Sequence, residues 1–212
     1  MEIDVVFDTV CPWCFIGKRR LEQAIRLRPD LDVRPRWRPF LLNPEMPPEG
    51  LDRGDYLVKK FGSEARVRRI QGAINEAGHS VEIPFAFDRI RKTPNSVNSH
   101  RFVRYAERFD LASAAVEAVF RAFFLDGTDL GDIDALTAIG ADIGLDPGPL
   151  AAFLASEEIS GEILNENARA HRLGINGVPC YLFNSRMVIS GAQEPQVLAR
   201  MIDAASEIER VA

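Results

Sequence analysis

The hydrophobic pattern of the N-terminal segment predicts a β-α-β unit. Residues 3–10 are rich in Val and Phe, and their nearly continuous apolar character is typical of a strand covered on both faces. We therefore expect this strand to be central in its sheet. A helix should begin at Pro12, because proline suits the first helical turn, and it should end before Pro29. Residues 33–42 predict a second strand, which two prolines interrupt.

The predicted first helix is amphipathic. Its inward stripe follows a spacing of three and four residues and consists of Cys14, Gly17, Leu21, Ala24 and Ile25. The basic run 18–20 falls outside this stripe and predicts a solvated helix face rather than an anion site. The same spacing should bury Cys14 more deeply than Cys11, which precedes the helix.

After a loop rich in proline and glycine, the pattern becomes mainly helical as far as residue 171. Apolar periodicity, with breaks at glycine and proline, predicts helices at 55–77, 96–109, 112–125, 132–143, 147–155 and 157–172. No strongly alternating run interrupts this block. We therefore expect it to contribute no strand to the central sheet.

Strand character returns near the C-terminal end. Residues 179–183 and 187–189, joined by a turn at Asn184-Ser185, predict a hairpin, and residues 194–209 predict a final amphipathic helix. Both ends of the chain can share one sheet if the helical block is inserted between them.

The sequence thus predicts an α/β fold with a mainly helical insertion. Residues 1–54 and 172–212 should form one discontinuous domain, and residues 55–171 should form the insertion domain. The cysteine pair described below lies at the junction of the first strand and the first helix.

Composition and charge narrow the function. The 212 residues are 46% hydrophobic and 27% charged, which is ordinary for a globular protein. A net charge of -5 opposes non-specific attraction to phosphate backbones, so we expect no nucleic-acid partner. No apolar run approaches the ~18 residues of a membrane span, so we expect no membrane partner. The acidic start does not match a secretory signal and favours a cytoplasmic location.

Cys11 and Cys14 are three positions apart at the start of the predicted helix. At this spacing two thiols can close a short disulfide, and helical amide donors stabilise an anionic sulfur on the first cysteine. Cys11 is therefore the candidate nucleophile and Cys14 the resolving thiol of thiol–disulfide exchange. The alternatives are inert core thiols or a noncatalytic zinc or partner-binding module, in which Cys180 and a histidine would complete the zinc ligands.

Cys180 opens the apolar run 180–183. Strand alternation should put Cys180 and Leu182 on the face opposite Tyr181, so that a core-directed Cys180 is shielded from substrate. We interpret it as a structural residue, since free cysteine is often buried as a small hydrophobe. A third redox thiol is the alternative.

Three segments of the chain carry a family resemblance. They are residues 8–18, with the sequence Asp-Thr-Val-Cys-Pro-Trp-Cys-Phe-Ile-Gly-Lys, residues 177–179, with Gly-Val-Pro, and residues 189–193, with Ile-Ser-Gly-Ala-Gln. Together they resemble the DsbA-like thioredoxin family, and specifically its FrnE-like branch. The resemblance implies a thioredoxin fold interrupted by a helical domain and a thiol–disulfide oxidoreductase activity. Its partners would be protein or small-molecule thiols and disulfides, with a homodimer as a candidate assembly.

The resemblance also implies a set of site residues. Val178 and Pro179 would be joined by a cis peptide bond opposite the cysteine pair, with the Val178 backbone pairing with substrate. Pro12 and Trp13 would belong to the active-site loop, where Trp13 forms a partly exposed recognition surface. An ordinary trans proline that opens a strand is the alternative at residue 179.

The same branch is similar to the 2-hydroxychromene-2-carboxylate isomerases and the kappa-class glutathione transferases. These relatives carry serine where this chain has Cys11. Serine cannot form a disulfide, so the cysteine pair favours exchange, and a glutathione-dependent isomerase or transferase is the alternative. The resemblance implies no tightly bound cofactor. It makes glutathione a candidate cosubstrate that would bind near Val178 and the turn formed by Gly191, Ala192 and Gln193.

Asp8, Asn98 and His100 are secondary candidates. Asp8 lies three residues before the nucleophile, where it would relay protons or restrain the active-site loop, unless it only caps the strand end. Thioredoxin and DsbA have a buried carboxylate six residues before the first cysteine, where this chain has Val5. Asn98 and His100 resemble a family segment that opens a helix facing the active site, with capping and surface solvation as the alternative.

Overall fold

The computed structural model describes the backbone of residues 1–211 and the side chains of residues 1–208. In chain order its elements are β1 (Glu2–Phe7), α1 (Pro12–Arg26), β2 (Arg34–Pro39), β3 (Leu51–Asp52), α2 (Arg53–Phe61), α3 (Glu64–His79), β4 (Lys92–Thr93), α4 (Val97–Glu107), α5 (Ala112–Arg121) continued by a π-helical turn (Ala122–Asp126), α6 (Ile133–Asp142), α7 (Pro147–Ala155), α8 (Ser160–Arg172), β5 (Cys180–Phe183), β6 (Met187–Ser190) and α9 (Pro195–Val211).

A four-stranded mixed sheet joins the two ends of the chain, in the order β2-β1-β5-β6. β2 runs parallel to β1, whereas β5 is antiparallel to both β1 and β6. The central position predicted for β1 is confirmed. β2 lies at an edge of the sheet, where its two prolines remove no interior ladder hydrogen bond.

The two faces of the sheet contact different cores. On β1, Ile3, Val5 and Phe7 pack into the larger core together with α1 and the helical block. Val6 points the other way and packs with Cys180 in a smaller cluster. Because Tyr181 belongs to the larger core, the predicted alternation of Cys180 and Tyr181 is confirmed.

The helical block lies between β2 and β5, and within the described residues it adds no strand to the four-stranded sheet, as predicted. β4 pairs instead with β3 in a separate two-stranded sheet that the sequence pattern did not reveal. The single helix predicted at 55–77 is wrong. Gly62 adopts a left-handed φ of 96° that ends α2, and the Ser63 hydroxyl accepts a hydrogen bond from the Arg66 amide, 3.3 Å away, to start α3.

The basic side of α1 is the second correction. Lys18 is only 4% exposed, and its ammonium group lies 2.9 Å from the Glu117 carboxylate on α5. Arg20 is also buried and donates to the Ala192 carbonyl oxygen at 2.6 Å. The predicted solvated face is wrong because α5 and the chain between β6 and α9 cover it with acceptors that are remote in sequence.

None of the described helices is long and apolar enough to cross a lipid bilayer.

Candidate active site

Cys11 occupies the N-cap position of α1, and Pro12 is the first helical residue. Both cysteines of the pair are free thiols and buried, Cys11 4% and Cys14 2% exposed. The difference in exposure has the predicted direction but is small, because Cys11 lies inside a cleft whose walls also cover it. One turn of helix brings the two thiols close together, with the Cys14 amide donating to the Cys11 carbonyl oxygen at 3.0 Å.

The environment of Cys14 opposes ionisation of its thiol. Burial raises the pKa of Cys14 well above its ordinary value, and contact with Cys11 adds to this rise, while a backbone hydrogen bond from Asp8 acts against it. Cys14 therefore stays protonated at neutral pH. A protonated thiol is a poor nucleophile, which suits a group that reacts only after Cys11 has formed a mixed disulfide.

Cys11 meets a segment that is remote in sequence. Its thiol donates a hydrogen bond to the Val178 carbonyl oxygen, with the sulfur 3.7 Å from the oxygen. The Val178–Pro179 peptide bond is cis. Cys11, Pro12, Trp13 and Val178 all line one cavity of about 380 Å³, and Trp13 is 38% exposed at its edge. Cys11 thus faces a cleft, while Cys14 lies behind it.

The other wall of this cleft comes from the helical block, and sequence reasoning missed it. Arg53, Tyr56, Leu57 and Lys60 of α2 all line the cavity. Their positions follow the i, i+3, i+4, i+7 spacing of one helix face, so the signal was present in the sequence. The helix predicted from residue 55 leaves out Arg53, the first residue of this face.

Gly17 lets Pro179 pack closely against α1. A Cβ atom at this position would lie 2.8 Å from Cγ of Pro179 and would also collide with the hydroxyl of Tyr181. Gly17 lies one turn after Cys14 on the buried stripe of α1. The absence of a side chain here lets β5 approach the helix that carries both cysteines.

We expect Gly17→Ala to lower the free energy of unfolding by about 1–3 kcal/mol, because the added methyl overpacks this contact. Gly72→Ala is the matched control. It also lies within a helix, but an added Cβ there meets no atom within 4 Å, so it should raise stability by about 0.5–1 kcal/mol. Urea denaturation of both variants measures the difference, and a stabilised Gly17→Ala would refute the close packing.

Asp8 and His100 lie together behind the active-site loop. The Asp8 carboxylate accepts hydrogen bonds from the Leu42 amide at 2.7 Å and the Val10 amide at 3.4 Å. The Nε2 atom of His100 is 3.5 Å from the same carboxylate and 3.2 Å from the Phe40 carbonyl oxygen. Neither side chain lines the cleft. The Asp8 carboxylate thus links the loop before Cys11 to the segment after β2, and its role in catalysis stays a prediction.

Asn98 has a structural partner. Its side-chain oxygen accepts a hydrogen bond from Arg101 at 2.8 Å, and Arg101 is almost fully buried. Nearby, the Ser99 and Thr9 hydroxyls are 2.7 Å apart, which ties the start of α4 to the strand end before Cys11. The start of α4 therefore contacts the active-site loop, and Asn98 is not among the residues that line the cleft.

The turn formed by Gly191, Ala192 and Gln193 lies beside Pro179 but outside the cleft. The Gly191 amide donates to the Pro179 carbonyl oxygen at 2.7 Å, and Gln193 donates to the Ser190 carbonyl oxygen, also at 2.7 Å. The three residues are not among those that line the cavity with Cys11.

Cys180 has no access to the cleft. It is fully buried, the Ser190 hydroxyl donates to its sulfur at 3.5 Å, and burial raises the pKa of its thiol. Among the side chains that the structure describes, no group of three or more His, Cys, Asp and Glu residues could hold a metal ion. The zinc alternative therefore lacks a ligand set in this part of the chain.

A family model described as a DSBA-like thioredoxin domain matches residues 2–203, which is nearly the whole chain. The chain belongs to the DsbA-like thioredoxin family. This membership agrees with the resemblance found in the sequence, and it identifies the mixed sheet with its helical insertion as a thioredoxin-like DsbA fold.

The DsbA-like relatives differ in their described activities. The crystal structure of a probable DsbA oxidoreductase from Streptomyces coelicolor superposes with a TM-score of 0.90 and 25% identity, covering 98% of this chain and 90% of that chain. A 2-hydroxychromene-2-carboxylate isomerase from Sphingobium xenophagum is 24% identical over 84% of this chain and 86% of its own length.

One structure with a similar fold was solved with glutathione. It is the cytosolic disulfide reductase DsbM from Pseudomonas aeruginosa, with 20% identity and a TM-score of 0.66 over 99% of this chain and 98% of that chain. At this identity the similarity shows the shared fold.

Proposed function

We propose that the protein is a thiol–disulfide oxidoreductase in which Cys11 is the nucleophile and Cys14 the resolving thiol. The observation that carries the proposal is the pair of adjacent free thiols at the start of α1, of which Cys11 lines a cleft. Family membership supports the same chemistry, since DsbA-like oxidoreductases are among the relatives.

Reduction of a substrate disulfide takes two displacements. The Cys11 thiolate attacks one substrate sulfur, which forms a mixed disulfide and releases the other sulfur as a thiolate. The Cys14 sulfur then attacks Cys11 and releases the second substrate thiolate, while the Cys14 proton passes to a released thiolate. The proton that Cys11 released to solvent when it ionised returns to the other released thiolate. The substrate thus gains two electrons and two protons, and the enzyme is left with a Cys11–Cys14 disulfide. Oxidation of a dithiol substrate is the reverse.

Each cycle of reduction needs an external thiol to regenerate the pair. Two molecules of glutathione supply the two electrons and become one molecule of oxidised glutathione, so glutathione is our candidate cosubstrate. The cleft volume of about 380 Å³ lies in the range of small-molecule sites. The presence of glutathione in DsbM motivates the same choice.

A glutathione-dependent isomerase is the second candidate. The similarity to 2-hydroxychromene-2-carboxylate isomerase over most of the chain favours it. The retained cysteine pair favours exchange over isomerisation, because the serine of those relatives cannot form a disulfide.

The test measures both activities with the full-length protein. We expect it to catalyse the reduction of 2-hydroxyethyl disulfide by glutathione, and we expect peptide mapping of the oxidised protein to find Cys11 joined to Cys14. Exchange no faster than the uncatalysed reaction would refute the proposal. Glutathione-dependent turnover of a hydroxychromene carboxylate without disulfide exchange would establish the second candidate instead.

A further inference from the structure

The cleft that contains Cys11 has an unusual charge balance. Two cationic residues line it, Arg53 and Lys60, and none of the described residues around it is Asp or Glu. The chain as a whole has a net charge of -5, with 31 acidic and 26 basic residues. A mainly apolar cleft with only positive charges attracts anions. The net negative charge of the whole protein would instead predict that it repels anions.

Arg53 is held in place by aromatic rings rather than by an acid. Its guanidinium carbon lies 5.9 Å from the ring centre of Phe87 and 5.7 Å from that of Phe123. Among the described residues, no carboxylate oxygen lies within 4 Å of its nitrogen atoms. Its Nε atom is buried and has no hydrogen-bond partner. Burial without a counter-ion lowers the pKa of Arg53 to about 10.

An unpaired, partly desolvated guanidinium is costly to maintain. Each buried donor without an acceptor loses its hydration without compensation, and charged groups lose the most. A carboxylate from a ligand would remove this cost, because the planar fork of arginine accepts a carboxylate through two parallel hydrogen bonds. The existing aromatic contacts already fix the fork, so little side-chain entropy remains to be lost.

Lys60 extends the positive charge along the same wall. It lies seven residues after Arg53, two turns along the same face of α2, or about 10 Å along the helix axis. Its ammonium group donates to the Asn43 side-chain oxygen at 3.0 Å and to the Tyr56 hydroxyl at 2.7 Å, both neutral acceptors. Among the described residues, no carboxylate pairs with Lys60 on this wall of the cleft.

A neighbouring cavity does not compete for the same anion. Arg53 also borders a space of about 490 Å³, where two more guanidinium groups are outnumbered by four carboxylates. The lining residues that carry these charges are Arg68, Arg91, Asp52, Asp55, Glu64 and Asp88. An anion there would meet four carboxylates. The cavity that Arg53 shares with Cys11, which no described acidic residue lines, is the one that suits an anion.

We propose that Arg53 is the anion-recognition residue of the Cys11 cleft, and that the cleft selects small thiols and disulfides that carry a carboxylate. The inference rests on the proposed function for the nature of the reacting group, but the binding of the carboxylate itself does not depend on turnover. Arg53 is a substrate-binding residue, and Lys60 strengthens the same preference through its charge.

The direct test uses a protein that cannot react. In a Cys11→Ser, Cys14→Ser background, calorimetry should detect binding of 3,3′-dithiodipropionate, a disulfide with two carboxylates, and no binding of cystamine, its cationic counterpart. Adding Arg53→Gln should weaken dithiodipropionate binding by roughly 10- to 100-fold, the loss expected for a charge-assisted hydrogen-bonded pair. Equal binding of the two disulfides would overturn the inference whether or not the wild-type protein is an oxidoreductase.

Measurements of kcat/KM on protein that keeps Cys11 and Cys14 separate the two proposals. The reductant in this assay is dithiothreitol, which is neutral, because glutathione itself carries carboxylates. In Arg53→Gln we expect kcat/KM for dithiodipropionate to fall roughly 10- to 100-fold more than kcat/KM for neutral 2-hydroxyethyl disulfide. Arg34→Gln is the matched control. It removes one positive charge from a side chain that is 75% exposed and outside the cleft, so it should leave kcat/KM unchanged for both substrates.

Failure of the proposed function and failure of the anion site would give different results. Turnover of all three disulfides at equal rates would leave the proposed function intact and refute the role of Arg53. Selective binding of dithiodipropionate to the inert protein, without turnover of any disulfide by the wild type, would refute the proposed function and leave the anion site. If Arg53→Gln does not fold, the comparison of dithiodipropionate and cystamine on the inert protein still decides the inference.

Discussion

A Cys14→Ser variant should accumulate as a mixed disulfide between Cys11 and its substrate. Cys11 keeps its position at the start of α1 and can still attack, but no thiol remains to release the bound sulfur. Catalytic turnover should fall to the uncatalysed rate. Mass spectrometry after incubation with a disulfide should find one substrate sulfur bound per chain, at Cys11.

Two further variants make this result specific. Cys11→Ser should trap no substrate, because the protonated, buried Cys14 thiol cannot replace the nucleophile. Cys180→Ala should retain exchange, because the Cys180 side chain packs on the other face of the sheet. Equal trapping by the Cys11→Ser and Cys14→Ser variants would contradict the assigned roles. Loss of turnover in a well-folded Cys180→Ala would show that a third thiol takes part.

The largest effect on stability is expected at Arg101. This side chain of α4 is 1% exposed, and its guanidinium donates to four backbone carbonyl oxygens where α7 ends and the chain leads into α8. The acceptors are Phe153 at 2.7 Å, Leu154 at 3.0 Å, Ser156 at 2.7 Å and Glu158 at 2.9 Å. Carbonyl groups at a helix end lack partners within the helix, so Arg101 supplies donors that the backbone cannot.

We expect Arg101→Leu to lower the free energy of unfolding by about 3–5 kcal/mol, because several buried carbonyl oxygens would lose their donor, at about 1–3 kcal/mol for each group left unsatisfied. That loss is a large share of the stability of an ordinary domain, which is about 5–15 kcal/mol. Arg121→Leu is the control. Its side chain is 59% exposed, and its guanidinium lies at a long 4.0 Å from the Glu117 carboxylate. The change should therefore cost less than about 1 kcal/mol. Similar midpoints in urea for the two variants would refute the role of Arg101.

Sequence patterns predicted the features of this fold that depend on local periodicity. Alternation placed Cys180 and Tyr181 on opposite faces, and the apolar run of β1 indicated a central strand. Both succeed because side-chain direction in a strand follows from the backbone alone. The break between α2 and α3, which the single helix predicted at 55–77 does not contain, also has a local cause, since Gly62 followed by Ser63 is a helix stop followed by a helix start.

Sequence patterns failed where a side chain finds its partner far along the chain. Lys18 looked solvated because the helix pattern showed its polar side, but not that Glu117 would cover it 99 residues later. Arg101 finds carbonyl acceptors, whereas the Nε atom of Arg53 finds none, and the sequence pattern indicates neither outcome. The carbonyl oxygens that satisfy Arg101 and the two phenylalanine rings that hold Arg53 come together only in the folded protein.

The position of Cys180 limits which oxidised isomers the protein can form. Three thiols allow three intramolecular pairings, yet the sheet separates the Cys180 side chain from the core that contains Cys11 and Cys14. Two thiols whose Cβ atoms point apart cannot be bridged without movement of the backbone. Only one of the three cross-linked topologies is therefore compatible with the native fold. Air oxidation of the folded chain should give a single species that needs no reshuffling, whereas oxidation of the unfolded chain should give a mixture.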